Sequence, residues 1–174
     1  MKGLAEPLKI TDIDFRIQSI NKGKFATILA YKDARVDMQR LDDVVGCLNW
    51  KREHTRDNKN CIVSIYNADT KEWIGKEDTG TESNTEQAKG LASDSFKRAC
   101  FNWGIGRELY DYPIISIKLL DYEVQEFNGK FKQSFDLRLR EWKWYSEFTE
   151  GKLTYLGVKD WKGKVRFTFG ELKK

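Results

Sequence analysis

Histidine is almost missing: His54 is the only one in 174 residues. A catalytic triad or a histidine-based metal centre has almost nothing to draw on, and His54 reads as an ordinary strand residue. Cysteine is sparse too. Cys47, Cys61 and Cys100 are odd in number and widely spaced, and no Cys-x-x-Cys occurs, so reduced thiols are expected and a disulfide framework is not. Pro7 and Pro113 are the only prolines, and there is no Gly-rich linker or low-complexity tract, which suggests one compact unit with a boundary near Pro113. Apolar runs are far short of a membrane span. The opening segment MKGLAEPLKITD lacks the apolar core of a signal peptide, so a cytoplasmic protein held in no membrane is expected. No Gly-x-x-x-x-Gly-Lys-Ser/Thr loop occurs, which argues against P-loop nucleotide hydrolysis. Gly104-Ile105-Gly106 follows a helix and has no third glycine, so it does not match a dinucleotide loop. Asp42-Asp43 and Glu77-Asp78 could hold Mg²⁺ for a nuclease. A solvated helix face and a strand end are the simpler reading. No cofactor and no enzymatic role are expected.

Charge and aromatic groups are plentiful. Thirty-one Lys and Arg against 27 Asp and Glu leave a formal net charge of +4. That balance does not demand a nucleic-acid partner, and a binding face would have to come from local clustering of charge or from the same face repeated around an oligomer. Ten Phe, seven Tyr and six Trp are enough for a substantial core. Period and turn signals predict an α+β fold in ββ-α-βββ-α order. Ile13–Gln18 and Phe25–Tyr31 alternate as strands around Asn21-Lys22-Gly23-Lys24. Asp33 caps a helix whose inward stripe is Ala34, Met38, Leu41 and Val45, with Arg35 and Asp42 outward, and Gly46 ends it. Residues 49–56, 60–66 and 72–78 read as an antiparallel meander with a turn at Asn67–Thr70. A long helix packs across that sheet. Beyond Pro113, residues 114–120 read as a strand. Residues 122–127 and 131–139 form a hairpin around Asn128-Gly129, and residues 152–159 and 164–169 form another around Lys162-Gly163. The chain thus divides into a core domain, residues 1–112, and a β-rich extension, residues 113–174, within one compact unit. The extension is open to three readings: a protomer contact, a second DNA platform, or a cap on the sheet.

The stretch Glu77–Tyr110 is the most informative. Ser83 or Asn84 can cap the helix, with Gln87 completing a capping box if Asn84 is the cap. Gly104 can close the far end in a left-handed conformation. Ala88, Leu91, Ala92, Ser95, Ala99 and Trp103 recur at helical spacing as a buried stripe. Lys97 points away from that stripe and Arg98 lies on its flank, while Gly90, Asp94 and Phe101 share the outward side. Two permanent cations and an aromatic ring on a rigid helix make a seat for a polyanion. On spacing alone, a solvated helix face is the usual reading of such a Lys-Arg pair.

The pattern Lys89-x-x-x-Ser93-Asp94-x-x-Lys97-Arg98-Ala99, running into Phe101-Asn102-Trp103-Gly104-Ile105-Gly106-Arg107 and Leu109-Tyr110, resembles the signature helix of the Rad-fifty-two single-strand annealing family. The resemblance is to the compact phage and bacterial branch that includes DNA damage response protein A. An earlier block agrees: Tyr31-Lys32-Asp33-Ala34-Arg35, Arg40-Leu41-Asp42-Asp43-Val44-Val45-Gly46 and Asn49-Trp50. The two blocks come in the family's order, and the likeness spans roughly residues 10 to 112 of this chain. It implies a nucleotide-independent protein that binds and anneals single-stranded DNA in recombination or double-strand break repair. It also implies a homo-oligomeric ring, phage encoding, and a phage exonuclease or host single-strand binding protein as partner.

The resemblance also implies site residues. Lys97 and Arg98 match the family's paired cations in the strand groove, and Lys89 falls on another basic position of that helix. The family's basic residue at the start of the first helix aligns with Val36, and Arg35 is its nearest substitute. Phe101 stands where eukaryotic members carry an arginine, which suggests that a base or ribose stacks there. Arg107 and one of Lys51 or Arg52 complete the set, since adjacent strand residues point to opposite faces. Two other readings remain at this stage: a single-strand or end-protecting binder without annealing activity, and a metal-dependent nuclease.

Overall fold

The computed structural model describes residues 2–81 and 87–171, without the side chains of Lys2 and of residues 87–89. Eleven strands and two α-helices are present among them, in an α+β arrangement of antiparallel sheets. The order begins β1 (Asp14–Ile20), β2 (Phe25–Tyr31), α1 (Ala34–Val45), β3 (Trp50–Thr55), β4 (Asn60–Asn67), β5 (Glu72–Thr79) and α2 (Gln87–Asn102). It continues with β6 (Ile115–Lys118), β7 (Val124–Phe127), β8 (Lys130–Gln133), β9 (Lys143–Thr149), β10 (Lys152–Lys159) and β11 (Val165–Gly170).

The chain forms two compact units, one of residues 1–8 and 32–107 and the other of residues 9–31 and 108–174. This grouping differs from a sequential division at residue 113. The first hairpin belongs with the C-terminal strands because β2 pairs with β1 on one edge and β6 on the other.

In the first unit the meander β3-β4-β5 carries α2 on one face. Register puts Trp50, Ile65 and Ile74 in one row and Arg52, Val63 and Lys76 in the next, all on the helix side. The core joins Cys61, Val63 and Ile65 to Phe96, Ala99, Cys100 and Trp103 of α2 and Leu41 of α1. Burying these apolar groups is the main stabilising term for the unit. α1 starts as expected: the Asp33 side chain accepts from the Arg35 N–H at 2.8 Å, and Gly46 (φ 88°) closes the helix. Ser83 and Asn84 lie outside the described residues, as does the Gln87 side chain.

At its other end α2 finishes in a Schellman pair, Ile105 N–H to Cys100 O and Gly104 N–H to Phe101 O. Gly104 (φ 96°) and Gly106 (φ 71°) serve internal packing. A Cβ at Gly104 would lie 2.9 Å from the Ala5 Cβ, and one at Gly106 would lie 2.9 Å from the Lys32 Cδ.

The second unit is built on sheets β1-β2-β6 and β9-β10-β11 with the small hairpin β7-β8. Its core gathers Ala26, Ile28, Ile115, Ile117, Leu156 and Val158, and Phe15 stacks on Trp144. Asn128 (φ 50°) and Gly129 (φ 70°) make the tight turn expected of them. Two expectations are corrected here. The strand read through residue 139 stops at Gln133. Ser134 then caps a 3-10 turn over Phe135–Leu137, and Arg138 enters a left-handed conformation (φ 47°) that ends any extended run. β9 had no counterpart in the sequence reading, and it is the outer strand paired with β10.

Candidate nucleic-acid interface

The buried side of α2 is wider than one stripe. Leu91, Ser95, Phe96, Ala99, Cys100 and Trp103 are buried, because the helix meets α1 as well as the sheet. Phe96 and Cys100 therefore turn inward. Lys97, Asp94 and Phe101, expected on an open face, are half-buried, as is Arg98, which was expected on the flank.

The two adjacent cations diverge. The side-chain and backbone hydrogen bonds from Arg35 hold the Asp33 carboxyl below the ordinary carboxylate range, and the charge of Lys97, on the side toward α1, adds a smaller pull in the same direction. Arg35 is paired with the same aspartate, Nε to Oδ1 at 2.9 Å and Nη2 to Oδ2 at 3.3 Å, with its side chain 86% exposed. Asp33 thus caps α1, orients Arg35 and sits within the field of Lys97. Arg98 turns to β5, with Nε 3.3 Å from Asp78 Oδ1 and side-chain exposures of 38% and 26%. Asn102 also donates to Asp78, at 3.3 Å. A half-exposed pair of this kind is worth about 0–1 kcal/mol, so a phosphate can replace the carboxylate at little cost.

The other expected residues scatter. The Lys89 side chain lies outside the described residues. Phe101 does not present an open ring, because the buried Lys32 ammonium lies 4.2 Å from its centroid. Arg107 donates to Phe101 O at 3.0 and 2.7 Å and to Asn102 O at 3.2 Å, which satisfies the carbonyls that end α2. Arg52 and Lys51 do take opposite faces. Arg52 lies over Phe96 on the helix side at 4.8 Å, and Lys51 lies over Trp73 on the other side at 4.6 Å. His54 is half-buried, its Nδ1 3.5 Å from Ser95 Oγ, and burial together with Arg52 pushes its pKa down.

The sequence reading missed the buried pair beneath this surface. Lys32, its side chain 1% exposed, donates to Asp37 and to Ile105 O at 2.7 Å. Asp37 is fully buried, and its Oδ2 has no hydrogen-bond partner among the described residues. Burial pushes its carboxyl up to about 6, against the downward pull of Lys32. The signal that could have found it was position. Asp37 stands a turn from Asp33, one residue before the inward Met38.

No helix among the described residues is long and apolar enough to cross a membrane. No protein-family model matches the chain. Over 115 residues, 64% of its length, the chain is 30% identical to the single-stranded DNA-binding protein DdrA of Deinococcus radiodurans. The chain spans about half of that relative, 55% of its length.

Proposed function

We propose that this protein binds single-stranded DNA and anneals complementary strands in recombination and double-strand break repair, without nucleotide, as a homo-oligomeric ring. The observation that carries the reading is the exposed Arg35 at the start of α1, together with the half-buried Arg98 on α2, which is held only by a weak pair with Asp78. The name of the relative, a single-stranded DNA-binding protein, supports the choice of polyanion. Annealing requires a surface that holds one strand by its phosphates and leaves base edges free. Cations meet the first requirement by counterion release, and backbone contacts carry no sequence preference. With Phe101 facing Lys32, electrostatics outweigh stacking at this site. A ring would align the same few cations from each protomer into one track, so multivalency supplies the affinity that a net charge of +4 does not. Lys89 is assigned to the same track by the family resemblance alone.

The test is Lys97→Ala/Arg98→Ala in the full chain. Strand binding should be lost, oligomeric state should be kept, and labelled complementary oligonucleotides should no longer pair faster than they do unaided. Normal annealing by the double variant would remove the site assignment. Tight binding by the wild type with no acceleration of pairing would leave a single-strand or end-protecting binder. A phage exonuclease or a host single-strand binding protein is the partner class to try in pull-down.

A further inference from the structure

We propose that the tip of the β10–β11 hairpin, with Lys143 beside it, is a second contact for a single nucleic-acid strand. Its lysines would take phosphates and Trp161 would take a base. The proposal rests on the reading above only for the identity of the polyanion.

Residues 159–164 read Lys-Asp-Trp-Lys-Gly-Lys, and the one acid among them is turned inward. Asp160 is 6% exposed and is engaged on every side. It accepts from the N–H groups of Lys162 and Lys164 at 3.0 Å each and from Arg166 at 3.3 Å. Arg166 is in turn clamped on Glu123 at 2.8 and 2.7 Å. The turn is therefore rigid, and no carboxylate of its own is left to neutralise Lys159, Lys162 and Lys164. None of these three, nor Lys143, makes an ion pair among the described residues.

Register adds a second observation. Lys143 and Lys159 are direct partners across β9 and β10, so two ammonium groups stand on one face of the sheet, opposite each other. Like charges in that arrangement cost stability, and neither lysine is in an ion pair among the described residues. An external anion would offset that cost. One pair further along, Tyr145 stands opposite Gly157 on the same face, 47% exposed. Glu147 is the acid beyond it on that face, opposite Tyr155.

Trp161 is 43% exposed, with Lys162 Nζ at 4.8 Å and the Arg138 guanidinium at 5.0 Å from its ring. Arg138 is held there in a left-handed conformation and also faces Glu141 at 3.8 Å. Exposed aromatic rings among cations are the elements that bind single strands without reading sequence. A two-fold contact with a second copy would set the same lysines against themselves, which disfavours an isologous protomer contact.

The experiment measures binding of the 174-residue chain to an oligo(dT) strand and to an abasic strand of equal length, across a salt series. Lys159→Gln/Lys162→Gln/Lys164→Gln should flatten the log–log salt slope by about 2, at about 0.7 per phosphate contact. Trp161→Ala should weaken oligo(dT) binding severalfold and leave abasic binding unchanged. If the wild type binds and both variants match it in affinity and slope, the second contact does not exist. If the lysine variant changes oligomeric state instead, the tip is a protomer interface and the proposal is wrong. If the wild type binds no strand at all, the functional reading itself fails first, and this proposal falls with it.

Discussion

Replacing Lys32 with methionine should destabilise the first unit far more than an ordinary surface lysine would. The side chain is 1% exposed, and its ammonium supplies the charge facing Asp37, a donor to Ile105 O at 2.7 Å and a cation 4.2 Å from Phe101. Methionine fills the volume but leaves a buried carboxylate without a counter-charge, and that costs about 3–5 kcal/mol near neutral pH. The loss should depend on pH with a definite sign. Burial holds the Asp37 carboxyl above its unfolded value, at about 6, and Lys32 is the main charge pulling it down. Without Lys32 the carboxyl rises further. A group raised in the folded state adds stability below its unfolded pKa and loses it as pH climbs through the folded value. The variant's deficit should therefore be larger at pH 7.5 than at pH 5. Chemical denaturation at the two pH values measures it. The double variant Lys32→Met/Asp37→Leu should recover much of the loss, since both charges are gone. A Lys32→Met protein within about 1 kcal/mol of wild type at pH 7.5 would refute the buried-pair argument. So would a deficit that grows on acidification.

Gly106→Ala should cost about 1–3 kcal/mol, because a Cβ there meets Lys32 Cδ at 2.9 Å on a backbone with φ 71°. Gly129→Ala, at a similar φ of 70° with nothing within 4 Å, should cost less, and the difference read by thermal melts isolates the contact. Cys47 should be the one thiol that reacts with a maleimide in the native protein, and all three should react in denaturant. Cys61 and Cys100 are buried, and burial pushes the Cys61 thiol up to about 11. Asp78→Asn frees Arg98 from its carboxylate, so single-strand binding should tighten severalfold at low salt and converge with wild type at high salt. Equal affinity at all salt concentrations would place Arg98 outside the strand path.

Features set by neighbouring residues were legible in the sequence. Asp33 as a cap, Gly46 as a stop, the turn at Asn128-Gly129 and the meander between Trp50 and Thr79 each follow from local backbone rules, and the structure has them all. What was hidden depends on partners distant in sequence. A single-stripe reading of α2 left Phe96 and Cys100 unassigned and put Phe101 outside, because nothing local reveals that α1 covers a second side of the helix. Lys32 and Asp37 carry no local signal of burial, and only the fold makes them a buried pair. Lys143–Thr149 mixes charged, aromatic and polar residues, and its strand character comes from pairing with β10. For the candidate site, Lys97 and Arg98 were readable as neighbours on one helix and Arg35 as the start of another, but the pairing of Arg98 with Asp78 was not.

The pairing of β2 with β6 has a consequence for how the chain is made. As synthesis proceeds, the Phe25–Tyr31 segment leaves the ribosome long before Ile115–Lys118 does, and until then one of its hydrogen-bonding edges has no neighbour. A nascent polypeptide halted after residue 112 would carry that raw edge permanently, and such edges recruit other chains. Residues 1–8 and 32–107 share a core of their own and can mature first, so the hairpin waits for Ile115–Lys118 to complete its sheet.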